Sequence, residues 1–131
     1  MTPDLLCLLG LALWSIPLNH IPAIARVIAA EKPLAWGMGN RETSPVVPPW
    51  VERADRAQRN HHDNLAMIAT VIVITQLSGQ ADDVTALASV ALLGLRILHS
   101  LSYILGITAV RSAAYLGSIL ALLIIVWRLL T

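Results

Sequence analysis

Glu52–Met67 reads ERADRAQRNHHDNLAM. The stretch holds three of the nine Lys and Arg residues and three of the eight acidic ones, yet it runs straight into the apolar Ile68–Ile74. No Gly or Pro falls between Val51 and Ser78, so one helix can carry both halves. At helical spacing Arg53, Arg56, Asn60, Asp63 and Met67 stack along one face in steps of three and four. A polar stripe therefore enters the end of an apolar helix. Charge at membrane depth is costly, so such a stripe is expected to face a helix-packed interior or a wet cavity and to mark a functional site.

The composition sets the frame for that stripe. Of 131 residues, 56% are hydrophobic and 13% charged, about half the charged fraction of an ordinary soluble domain. Mean hydropathy is +0.70. The formal net charge of +1 and the lack of a basic tail give no expectation of a nucleic-acid partner. Cys7 is the single cysteine, so no internal disulfide is possible, and its apolar setting makes it a small core or lipid-facing residue.

Working outward, the sequence predicts one all-α domain over 1–131 with four membrane helices at about 3–30, 49–77, 84–105 and 109–130. The first is interrupted by Pro17 and Pro22 but is long enough to span, which takes about 20 residues. Only Asp4 is charged before Arg26, so the segment reads as a retained span rather than a signal peptide. Arg26 is expected to snorkel to headgroups, with a role in a polar site as the alternative. Glu31–Trp50 carries Pro33, Gly37, Gly39, Pro45, Pro48 and Pro49, which argue against regular structure over most of it. Pro49 suits the first turn of the second helix, and Gly79 a C-terminal stop. The third helix places Arg96, His99 and Tyr103 on one face. The fourth opens with Arg111 and Tyr115 and ends with Trp127 and Arg128. Counting basic residues over the loops puts both termini outside and the polar cluster on the cytoplasmic side.

Two chemistries fit this set. Arginine pairs bidentately with carboxylates, and Asp63 would receive an ammonium, so Arg56, Arg96, Arg111, Asp63, Gln58, Asn60, Asn64, Tyr103 and Tyr115 suit a small zwitterion with several carboxylates. An arginine aimed at a thiol would also favour the thiolate. Alternatively, the arginines and Asp63 merely pair with one another and hold helices together; Arg59 and Asp63 are an i, i+4 pair. His61 and His62 diverge by roughly 100° on a helix and no HExxH pattern is present, so no metal is expected and both histidines are placed at the interface. His99 is expected to make a helix-packing hydrogen bond. No catalytic triad and no phosphate-binding glycine loop is visible.

Beyond these readings, the chain resembles the MAPEG family, the membrane-associated proteins of eicosanoid and glutathione metabolism, and is similar to its small bacterial members. Arg56-Ala57-Gln58, then Asn60 and Asp63, resembles the family's R-A-[HQ]-x-N-x-x-E signature. Trp36–Glu42, WGMGNRE, is similar to a G-N-R-[DE] stretch. Arg96, His99 and Tyr103 match R-x-x-H-x-x-x-Y, and Arg111 matches the arginine opening the fourth helix. The resemblance implies an antiparallel four-helix bundle assembled as a homotrimer in the bacterial inner membrane, with glutathione as co-substrate bound between subunits near the cytoplasmic face. It implies that Arg56, Gln58, Asn60 and Asp63 hold the peptide's charged ends, that Arg96 and Tyr103 line the pocket, that Arg53 is an outer cation, and that Arg111 is the thiolate-stabilising catalytic arginine. The expected activity is transferase or peroxidase chemistry on a lipophilic electrophile or hydroperoxide reached from membrane lipid. Asp63 stands for the usual glutamate, shorter by about 1.5 Å, one C–C bond, and Asn64 stands where some members have tyrosine. A non-catalytic protein of the same fold, holding a lipid or another anionic ligand, is the second reading. An ion or proton pathway through Arg96, His99 and Asp63 is the third, weakened because nothing polar continues to the other membrane face.

Overall fold

A computed structural model describes all of residues 1–131. It is entirely helical, with α1 at Pro3–Ala29, α2 at Pro33–Met38, α3 at Pro49–Leu77, α4 at Asp83–Leu105 and α5 at Thr108–Leu130. Proline occupies the first turn of α1, α2 and α3, where its missing N–H costs nothing and its φ is already helical. Pro17 and Pro22 lie inside α1 without ending it, leaving the carbonyls four residues back without their usual amide donors.

The six-residue α2 departs from the expectation of an irregular loop. Pro33 starts it, and Trp36 on it donates from Nε1 to the Thr43 carbonyl at 2.6 Å. The helix stops before Gly39, where a Cβ would sit 2.8 Å from the Ala35 carbonyl oxygen. The connection thus folds back on itself, with the Arg41 guanidinium 5.4 Å over the Trp36 ring.

The long helices meet end to end in a way that fixes their directions. At one end Thr2 donates to Gln76 Oε1 at 2.9 Å, Ser89 donates to Asp4 Oδ1 at 2.9 Å, and Arg128 pairs with Asp82. At the other, Arg26 pairs with Asp55 and Glu52, and Arg53 reaches the Ile104 carbonyl. The chain therefore reverses at each connection between long helices. Asp82 starts α4 with a reciprocal capping box to Thr85, satisfying donors that the first turn would otherwise leave open. The solvent-facing Asp82 carboxyl is held below the usual carboxylate range, first by the Thr85 N–H and then by Arg128.

One core joins all four long helices. Leu11 from α1, Ile68 and Ile72 from α3, Ala88 and Leu92 from α4, and Ala121, Leu122 and Ile125 from α5 are buried together. They come from the half of the molecule away from the arginine-rich end. The outer surface is apolar too. Leu13, Ile16, Leu87, Leu116, Leu120 and Leu123 are each more than half exposed, a pattern suited to lipid rather than water. By length and composition α1, α4 and α5 can each cross a membrane. α3 does not reach that apolar threshold, because its first half is the charged stretch; at 1.5 Å per residue it is roughly 43 Å long.

Candidate functional site

On α3 the buried positions are Val51, Ala54, Ala57, His61, Ile68, Ile72 and Thr75. At 3.6 residues per turn the stripe of Arg53, Arg56, Asn60, Asp63 and Met67 lies roughly 100° around the helix from that seam. The stripe therefore does not face the interior of the chain. Arg56, Asp63 and Met67 are exposed, while Arg53 and Asn60 are half-buried at its edge. Alanines at 54 and 57 make this possible, since they allow close helix contact beside long polar neighbours.

Asn60 is where the stripe meets the other helices. Arg96, only 1% exposed, donates from Nη2 to both the Asn60 carbonyl and Oδ1, each at 3.1 Å. Its Nε and Nη1 are buried with no partner. No carboxylate lies within ion-pair distance; the chain's ion pairs are Arg26 with Glu52 and Asp55, and Arg128 with Asp82. A buried guanidinium without a counter-charge is costly, and three N–H bonds pointing at nothing make it a ready acceptor of a carboxylate.

Beside it a cleft of about 390 Å³ is lined by Asn60, His99, Tyr103, Arg111, Ser112, Tyr115 and Leu116. Arg111, in the first turn of α5, places its guanidinium carbon 4.7 Å over the Tyr103 ring, a cation–π contact that aims the charge. The Arg111 carbonyl takes the His99 Nδ1–H at 3.0 Å. That bond fixes the tautomer and leaves His99 Nε2 buried and unpartnered. His99 rings pack near Tyr103 and Tyr115 at 5.8 and 5.5 Å between centroids. The packing hydrogen bond expected of His99 is thus present, and His99 also lines the cleft.

The other candidates go elsewhere. Gln58 donates to Asn19 Oδ1 at 2.7 Å, toward α1, and lies 3.3 Å from His62 Nδ1. Arg53 donates from Nε to the Ile104 carbonyl at 2.8 Å. Arg56 and Asp63 project outward with no ion pair, and the i, i+4 pairing of Arg59 with Asp63 is not formed. Among the sequence candidates, the structure brings Asn60, Tyr103, Arg111 and Tyr115 to one cleft, with Arg96 tied to it through Asn60.

Two expectations are corrected. Arg26 does not snorkel: it pairs with Asp55 and Glu52 on α3, carboxylates that lie a quarter-turn from the stripe and so were not considered with it. His61 is not interfacial but 1% exposed, donating from Nε2 to the Leu11 carbonyl at 3.0 Å and lying 3.1 Å from Ser15 Oγ. Its place in the seam of Ala54, Ala57 and Ile68 was the signal. Ser112 was missed, though it directly follows Arg111. No cluster of three metal-ligating side chains exists.

A family model described as the MAPEG family matches residues 5–131. No curated protein and no solved structure matches. That match over nearly the whole chain, together with three apolar helices of spanning length, makes this an integral membrane protein.

Proposed function

The chain belongs to the MAPEG family, and from that premise we propose that it is a glutathione-dependent transferase or peroxidase acting on lipophilic electrophiles or hydroperoxides. The observation that carries the reading is Arg111: a cation without a carboxylate partner, held over Tyr103 in a cleft beside a second cation, Arg96, whose buried N–H groups are unmatched. Such a set binds a carboxylate-rich thiol peptide and favours its thiolate.

In this reading α1, α3, α4 and α5 form the four-helix bundle of one subunit in a homotrimer, with α2 as a surface element. The outward direction of Arg56 and Asp63 supports a site closed by a neighbouring subunit. Arg56, Asn60 and Asp63 hold the charged ends of glutathione, Gln58 being turned away toward α1, and Arg96 receives a carboxylate. Arg111 stabilises the sulfur anion while the thiol proton passes to water at the cytoplasmic mouth. The thiolate then forms a C–S bond with an electrophile, expelling its leaving group. With a hydroperoxide it attacks the terminal oxygen, breaks the O–O bond and releases an alcohol, and a second glutathione resolves the sulfenic acid to disulfide and water. The lipophilic partner enters from the bilayer. The arginine-rich end faces the cytoplasm of a bacterial inner membrane by the excess of basic residues there.

The second reading, a non-catalytic member holding another anionic ligand, is favoured by Asp63 alone, whose shorter side chain reaches less far toward an ammonium. Calorimetry of the detergent-purified protein with glutathione, alongside an ultraviolet scan for thiolate near pH 7, separates the two. Saturable binding with thiolate absorbance is expected. Binding without thiolate moves the assignment to the second reading, and no binding at millimolar glutathione removes the transferase assignment.

A further inference from the structure

Arg53 sits on the same stripe as the ligand candidates, but its Nε–H is given to the chain itself. α4 ends in a Schellman turn: the Ile107 N–H reaches the Ser102 carbonyl at 2.9 Å and the Gly106 N–H the Tyr103 carbonyl at 3.2 Å. Gly106 makes this possible with φ +81°, a conformation costly for any residue with a Cβ. Those two bonds satisfy two of the orphan carbonyls at the helix end. The next one, Ile104, receives no backbone donor among the turn and cap bonds, and Arg53 Nε supplies it at 2.8 Å. The side chain lies flat over the turn, with Nε, Cζ and Cδ at 3.5, 3.6 and 3.8 Å from where a Gly106 Cβ would be. A cation there also complements the negative end of α4.

The corner so held is the one that carries the chemistry. Tyr103 lies in the last turn of α4. Arg111 begins α5, with its N–H on the Ile107 carbonyl at 3.0 Å and its own carbonyl on His99. Deeper in, the Arg96–Asn60 pair joins the same two helices. Two arginines thus stitch α3 to α4 on either side of the cleft: Arg96 from α4 to α3, Arg53 from α3 to α4.

We propose that Arg53 is a positioning residue, one that through the Ile104 carbonyl and the Gly106 turn holds Arg111 at the distance from the α3 stripe that a single ligand can bridge. This rests on the glutathione reading for its kinetic consequence, but not for its structural one. The Nε–H given to a carbonyl at the helix end lies flat over the Gly106 turn, so the side chain contributes to the site by fixing another cation.

The test uses the full chain in detergent with Arg53→Ala and Arg53→Lys, each checked for an unchanged thermal midpoint within a few degrees. Hydrogen–deuterium exchange is read over the segment 102–111. Arg53→Ala should speed exchange there by about tenfold relative to the rest of α4 and α5, and Arg53→Lys, whose ammonium also donates to a carbonyl, should restore much of the protection. Gly106→Ala, which strains the same turn from the other side, should loosen the same segment. With glutathione, Arg53→Ala should leave the dissociation constant within about threefold while the bound thiol titrates about one pH unit higher and kcat falls about tenfold at similar KM. A large loss of glutathione affinity with an unshifted thiol titration would make Arg53 a direct ligand contact and overturn the proposal. Unchanged exchange over 102–111 would overturn it as well. If the wild-type chain binds no glutathione yet Arg53→Ala still loosens the corner, the transferase reading fails and the tie stands.

Discussion

The two ends of the molecule use polar side chains in opposite ways. At the end where α1 begins, Ser89 donates to the buried Asp4, Thr2 donates to Gln76, and Arg128 meets Asp82, itself the N-cap of α4. Asp4 and Asp82 there have donors and the single arginine has its carboxylate. At the end where α1 finishes, arginines outnumber the carboxylates that reach them. Arg26 takes both Asp55 and Glu52, while Arg56, Arg96 and Arg111 take none and Asp63 stands alone. One end is closed within the chain apart from the buried Gln76 Nε2, which has no partner, and serves stability. The other is left open, and buried donors without acceptors are stable only if something else supplies the acceptors. The contrast separates a structural polar cluster from a binding one without appeal to charge count.

If this contrast is right, substitutions at the two ends should fall into different classes. The largest effect is expected for Arg111→Ala: turnover and thiolate absorbance with glutathione should fall by about 10²–10³-fold with the thermal midpoint kept, and unchanged turnover would take Arg111 out of the mechanism. Arg96→Met comes next. It removes an uncompensated buried charge at similar volume, so stability should hold or rise while glutathione affinity drops by about tenfold or more, measured by calorimetry; a collapse of the fold instead would show that Arg96 is structural. Ser89→Ala, at the closed end, should do the reverse, lowering unfolding stability by about 1 kcal/mol and leaving glutathione binding untouched. The smallest effect is one of pH. Because the folded Asp82 carboxyl lies below its ordinary range, its contribution is full above the unfolded pKa of about 4 and is lost as pH falls through the lower folded value. The difference in thermal midpoint between the wild type and Asp82→Ala should therefore shrink below about pH 4, and a gap that persists there would mean that the charge is not what matters.

Helix ends were legible because punctuation is local: Pro49 opens α3, and Gly79 follows its end with the left-handed backbone, φ +72°, that glycine favours. So was the cleft's polar inventory, since Arg96, His99 and Tyr103 at steps of three and four must share a face of α4. Which way that inventory points was harder to read. Helical spacing shows that Arg53, Arg56, Asn60 and Asp63 lie together, but not that Ala54, Ala57 and His61 take the inner side. His61 went unrecognised as core because a histidine beside another histidine resembles surface, whereas the α1 carbonyl that satisfies it is 50 residues away. The Arg26 pairing was hidden for the same reason: Asp55 is 29 residues distant. The six-residue α2 was lost among prolines and glycines that do stop it, though not before it has made more than one turn.

The quarter-turn between the buried seam and the polar stripe of α3 carries a consequence for genetic change. Both faces are read from one unbroken rod, so removing or adding one codon within 52–67 would turn everything beyond it by roughly 100°. The stripe would then swing into the seam or away from it, and no substitution elsewhere could turn it back. The connection of residues 40–48, outside any helix, has no such phase to keep. Length variation in this protein should thus be confined to the connection ahead of α3, while the charged half of α3 changes by replacement alone.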